Sequence, residues 1–148
     1  MFFLLCAAVV FLLDRITKII VVRKLFVDES LPVFGKIFSI TYVKNTGSAF
    51  GVFPGATKIF ICLSGVAIIL IIVSLFHLKQ KNYFTKFGLA LILGGAIGNL
   101  VDRLTFGCVI DFLDFKIWPV FNLADLAISI GCFLLLFKMF TLGHKTIK

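Results

Sequence analysis

The sequence predicts an all-α membrane protein of four transmembrane helices, with a small antiparallel β-sheet on the outer side. Three observations lead there. Of 148 residues, 61% are hydrophobic and 15% charged, against about 45–50% and about 25% in soluble domains. A domain of this size leaves much of its surface exposed and cannot enclose so much apolar side chain, so the bilayer takes the rest. The apolar residues fall into four long runs, and Lys and Arg sit mostly at the ends of those runs, where positive charge orients helices and meets lipid headgroups.

The first run, "MFFLLCAAVVFLLDRITKIIVV", covers Met1 to Val22. It has no basic leader and no small-residue cleavage site, so it reads as a retained helix rather than a signal peptide. Asp14 and Lys18 stand four apart and can form an intrahelical ion pair. An ionisable residue inside a membrane helix is equally a functional candidate, because it must face protein or water. Both readings stand.

The outer segment "LPVFGKIFSITYVKN" predicts two strands about a tight turn at Gly35-Lys36. Phe38, Ile40 and Tyr42 alternate with Ser39 and Thr41, the period of a half-buried strand. "NTGSAFG" and "FPG" follow as turns. The second run, Ile59 to Phe76, carries no charge and is about long enough to span the hydrocarbon. The third, Phe87 to Val101, is glycine-rich and ends at Asp102 and Arg103. Gly94 and Gly98 share one helical face and Gly95, Asn99 and Asp102 another, which suits a small-residue packing seam. Asn99 and Arg103 add a polar edge that packing does not require. The fourth helix runs from Leu123 to about Leu142, with Asn122 as N-cap and Asp125 as the third helical residue, a variant of the capping box.

With four spans, Lys79, Lys81 and Lys86 lie on the same side as Lys145 and Lys148, and the positive-inside rule makes that side cytoplasmic. The 103–122 loop then faces outward. No linker or repeat divides the chain, so residues 1–148 form a single integral-membrane domain. A net charge of +8 without a dense basic run and interleaved aromatics argues against nucleic acid and for membrane lipids. Cys6, Cys62, Cys108 and Cys132 are scattered, and His77 and His144 are far apart, so no metal site is expected.

Four of the seven acidic residues, Asp102, Asp111, Asp114 and Asp125, crowd into "GNLVDRLTFGCVIDFLDFKIWPVFNLAD". Asp111 follows helix three and Asp125 opens helix four, so both belong near one membrane boundary, and Pro119 suits a bend between them. Two carboxylates held together cannot both ionise easily, which supplies a base and an acid for activating water against an amide. The helix N-terminus favours the anion on Asp125, leaving the proton on Asp111. Asp114 reads as a solvated surface carboxylate, although spacing by itself does not separate it from Asp111. A proton-coupled carrier would need acids across the whole membrane, and the second helix supplies none. A Ser/Lys protease is disfavoured because Ser64, Ser74 and Ser129 lie in apolar runs and suit helix backbone bonding. A purely structural membrane protein leaves the clustered acids unexplained.

"DRITK", "NTGSAFG", "GGAIGNLVDRL", "VIDF" and "FNLAD", in that order, closely resemble the bacterial lipoprotein signal peptidases (signal peptidase II). The resemblance implies an aspartyl endopeptidase of the bacterial inner membrane, multi-pass, with both termini cytoplasmic. It implies an active site on the periplasmic side, beside the small sheet and a short periplasmic helix. It puts the catalytic pair on Asp111 and Asp125. Asn45, Gly47, Gly95, Asn99, Arg103 and Asn122 match positions that support the site or contact substrate. Asp14 and Lys18 match the first motif in a structural or substrate-positioning part, and Asp102 would fix the end of helix three. The implied substrates are prolipoproteins carrying a diacylglyceryl-cysteine, cut just before that cysteine by a monomer without metal or organic cofactor. Three departures stand out: Ser48 where alanine is common, Arg15 where glutamine is common, and a short Asp111–Asp125 segment.

Overall fold

The computed structural model describes residues 2–47, 55–78 and 83–143. The turns expected around 48–54 and the lysines at 79, 81, 145 and 148 lie outside that set. Four helices and three strands follow in the order α1 (Phe2–Lys24), β1 (Ser30–Phe34), β2 (Phe38–Asn45), α2 (Thr57–His77), α3 (Tyr83–Phe106), β3 (Val109–Asp114) and α4 (Leu123–Gly143).

Helix α3 is the hub, packed against α1, α2 and α4. Its glycines make this possible. A Cβ on Gly94 would stand 2.5 Å from the Ala7 carbonyl oxygen of α1, and one on Gly95 would stand 2.4 Å from that of Ala124 in α4. The predicted seam is therefore real and two-sided, with α1 and α4 seated on adjacent faces of α3. On α2, by contrast, Ile59, Leu63, Ile69 and Phe76 are uncovered, Ile69 at 62%. An unbroken apolar surface of this kind needs lipid against it.

Among the described residues three helices, α2, α3 and α4, are long and apolar enough to cross a membrane. Helix α1 has the length, 23 residues, but Asp14, Arg15 and Lys18 interrupt its apolar sequence. Those charges turn inward, with Asp14 and Lys18 fully buried.

The sheet has the order β1-β2-β3, all antiparallel. The predicted hairpin forms, with Gly35 at φ +51°, a left-handed conformation that costs glycine nothing. Strand β3 was not expected, since 103–122 reads as loop. Its residues do not alternate because both faces are covered. Ile110 and Phe112 pack with Val21 and Tyr42, while Asp111 lies on the opposite face. The short helix that the resemblance implies is not found among the described residues; between α3 and α4 they hold β3 and an irregular return. Phe121 pairs back onto Leu113, its N–H donating to the Leu113 carbonyl over 3.1 Å. That fold-back delivers the start of α4 beside β3.

Candidate active site

Asp111 and Asp114 stand three apart on one strand, so the pleat sends them to opposite faces. Asp114 pairs with Ser39 in register and accepts hydrogen bonds from Thr41 Oγ1 (2.7 Å), Lys116 Nζ (2.6 Å) and the Lys116 N–H (3.0 Å). It is buried, not the solvated carboxylate the sequence suggested. Burial pushes its acidity down, but the Lys116 and Thr41 hydrogen bonds outweigh that and hold its pKa below the usual carboxylate value. Its hydrogen bonds are accounted for by structure alone.

Asp111 faces the other way, toward α4. Its register partner on β2 is Val43, and Asn45 lies two residues further along the same face. Asn45 Nδ2 donates to Asp111 Oδ2 at 2.9 Å, and Asn122 Nδ2 donates to Oδ1 at 2.6 Å. Burial pushes the Asp111 carboxyl up to about 7, aided by the negative charge of Asp125 and opposed by the two asparagine amides and Lys18. At neutral pH such an acid is still about half protonated.

The capping box at the start of α4 forms as predicted. The Asp125 N–H donates to Asn122 Oδ1 (2.9 Å), and the Asn122 N–H donates to Asp125 Oδ2 (3.4 Å). The capping and catalytic readings of "FNLAD" are thus not rivals, for Asn122 caps the helix with its oxygen and holds Asp111 with its nitrogen. The other oxygen of Asp125, Oδ1, accepts from Asn99 Nδ2 at 2.7 Å. The second α4 N–H within reach, that of Ala124, donates to Asp14 Oδ1 of α1 at 3.0 Å.

Behind this layer lies a buried ionic cluster. Lys18 Nζ contacts Asp14 Oδ2 at 2.8 Å, Asp102 Oδ2 at 2.7 Å and Asn99 Oδ1 at 3.1 Å. Arg15 pairs with the other Asp102 oxygen, and the Ile110 N–H donates to Asp102 Oδ2 at 3.2 Å. Two cations and two anions cancel, which is what a buried cluster requires. Arg15, the departure beside Asp14, completes that balance. Asp102 therefore ties α3 to both α1 and β3, the anchoring part expected of it.

Asn45, Asn99, Arg103, Asp111 and Asp125 line one cavity of about 520 Å³, walled by Trp118, Pro119, Val120, Phe121, Leu126 and Ile128. Arg103 lies over the Phe60 ring (5.2 Å to its centroid) and reaches the Gly47 carbonyl at 3.5 Å. The Gly47 N–H in turn donates to Asn45 Oδ1 at 3.0 Å. Gly95, which the resemblance put among the supporting residues, is spent on packing against α4. The Trp118–Phe121 wall was not anticipated. Ile128 and Ser129 also border the cavity, and their three- and four-residue steps from Asp125 were the available signal.

A family model described as signal peptidase (SPase) II matches residues 6–141. The chain belongs to the signal peptidase II family. It is 43% identical to a lipoprotein signal peptidase of Pelotomaculum thermopropionicum over 148 residues, covering 100% of this chain and 97% of that one. A lipoprotein signal peptidase of Moorella thermoacetica is 44% identical over 137 residues, 93% of this chain and 91% of its own. Two solved structures of bacterial membrane enzymes superpose with TM-scores of 0.89 and 0.85. They share 29% and 30% identity and cover 94% and 93% of this chain, and 87% and 91% of their own. Membership in the signal peptidase II family makes this protein a peptidase, and its apolar helices make it a membrane protein.

Proposed function

We propose that this signal peptidase II is an aspartyl endopeptidase that removes signal peptides from diacylglyceryl-modified prolipoproteins, cutting immediately before the lipidated cysteine. The observation that carries it is the convergence of Asp111 and Asp125 on one cavity, with asparagine amides on both carboxyls. Asp125, at the positive end of α4, is the base; Asp111, with its raised pKa, is the acid. Asp125 takes a proton from water as the water oxygen bonds to the scissile carbonyl carbon, and Asp111 gives its proton to the carbonyl oxygen. When the tetrahedral intermediate collapses, the C–N bond breaks. The leaving nitrogen takes the proton from Asp125, and Asp111 recovers its own from the new acid. The aliphatic and aromatic walls suit acyl chains and signal-peptide side chains, while Asn45 and Arg103 suit peptide oxygens.

The same reading makes α1 a fourth membrane crossing, since its charges are neutralised inside the protein. It puts both termini in the cytoplasm, the sheet and dyad at the periplasmic rim, and the working unit as a monomer. There the acyl chains stay in lipid while the scissile amide meets water. The test is cleavage of a lipidated precursor in detergent by purified variants. Asp111→Asn and Asp125→Asn should each lose activity by about 10³-fold or more, and Asp114→Asn should keep most of it. Full activity in either of the first two would refute the dyad.

A further inference from the structure

Every asparagine amide on the two carboxyls has its oxygen committed to a group that can only donate. A lysine ammonium and a backbone N–H carry no acceptor. Asn45 Oδ1 takes the Gly47 N–H, Asn122 Oδ1 takes the Asp125 N–H, and Asn99 Oδ1 takes Lys18 Nζ. Each amide is therefore pinned, and each must present its NH₂ to a carboxylate oxygen. The orientations follow from the chemistry of the partners and not from which end of an amide is drawn as nitrogen. Two of the three pins are backbone groups, fixed by the fold. The third is a side chain.

We infer that Lys18 is the positioning residue that fixes the Asn99 amide with its NH₂ on Asp125, and thereby holds Asp125 as the anionic member of the pair. This rests on the aspartyl reading above and assigns within it how one of two neighbouring carboxylates is chosen as base. With Lys18 in place, a flipped Asn99 would aim NH₂ at an ammonium and a carbonyl oxygen at a carboxylate, two repulsions at once. Without it, the amide is free to turn and accept a hydrogen bond from a protonated Asp125. The charged and titratable groups around Asp125 are Asp111 on β3, Arg103 on α3 and Lys18 on α1; Asn99 and the Asn122 N–H bond it directly. Of these, Lys18 is the cation that acts through an amide already bonded to the carboxylate.

Lys18 cannot be removed alone without stranding buried charge, so the test removes a neutral pair. Lys18→Met with Asp14→Asn leaves Arg15 and Asp102 balanced. The readout is the pH profile of kcat/KM on a lipidated precursor, with thermal melting in detergent as the check on folding. The expected result is a folded enzyme whose acidic limb moves to higher pH by about one unit or more. A folded double variant with an unmoved acidic limb overturns the inference. If that variant does not fold, Lys18→Gln with Asp14→Asn replaces it, because a glutamine amide fills the space but can bond Asn99 in either orientation and so no longer pins it: a raised acidic limb supports the positioning role and an unmoved one overturns it. Activity that survives Asp125→Asn would instead sink the aspartyl reading itself, a separate outcome.

Discussion

Replacing Asp111 by asparagine should abolish cleavage and yet make the protein more heat-resistant in alkaline buffer. The carboxyl has its pKa raised from 3.8 to about 7, chiefly by burial and then by Asp125. A raised pKa means that the native state is favoured while the acid is neutral. That advantage is whole below pH 3.8, declines as the unfolded chain ionises first, and is gone above about 7. Working the linkage through, the wild type loses about 2 kcal/mol by pH 5 and about 4 kcal/mol by pH 8. Asparagine never ionises, but it has its own cost. Asn45 and Asn122 both donate to Asp111, and one of those donors would meet an NH₂ in place of an oxygen, at about 1–2 kcal/mol. The two proteins should therefore melt close together at pH 5. At pH 8 the variant should be ahead by about 2–3 kcal/mol, or roughly 5–10 °C for a chain of this length. Thermal melting in detergent at the two pH values checks this. A variant that melts below the wild type at pH 8, or a difference independent of pH, would refute the burial argument.

Two further outcomes follow from the same geometry. Asn45→Ala removes a donor that favours the Asp111 anion, so the basic limb of the cleavage profile should move up by about half to one pH unit; no movement, or a downward one, counts against Asp111 as the acid. Gly95→Ala puts a methyl 2.4 Å from the Ala124 carbonyl oxygen and 2.8 Å from Ile128, which should cost about 1–3 kcal/mol and displace Asp125. Gly65→Ala on α2, with open space around it, should leave both melting and cleavage unchanged.

Much of this was legible in advance, for physical reasons. Helices α2, α3 and α4 announce themselves because lipid demands long apolar runs, and the hairpin does because Gly35-Lys36 marks its turn. Helix α3 proved longer than its apolar run because Tyr83–Lys86 and Asp102–Phe106 extend it with polar and charged side chains. Strand β3 stayed hidden because its two covered faces erase the alternation that identifies a strand. Asp114 was misjudged for the same reason, since Thr41 meets it only once β2 and β3 are paired. With β3 recognised, the three-residue spacing would have put Asp111 and Asp114 on opposite faces and separated them without any family resemblance. The ionic cluster behind Asn99 spans residues 14 to 102, a pairing across 80-odd positions that local patterns do not encode.

Asn122 uses one end of its amide to start a helix and the other to grip an acid. An inhibitor that leaned on this side chain would leave the bacterium little room for resistance. Any substitution that shed the drug would also loosen the helix and release Asp111, so escape and loss of fitness would arrive in the same codon.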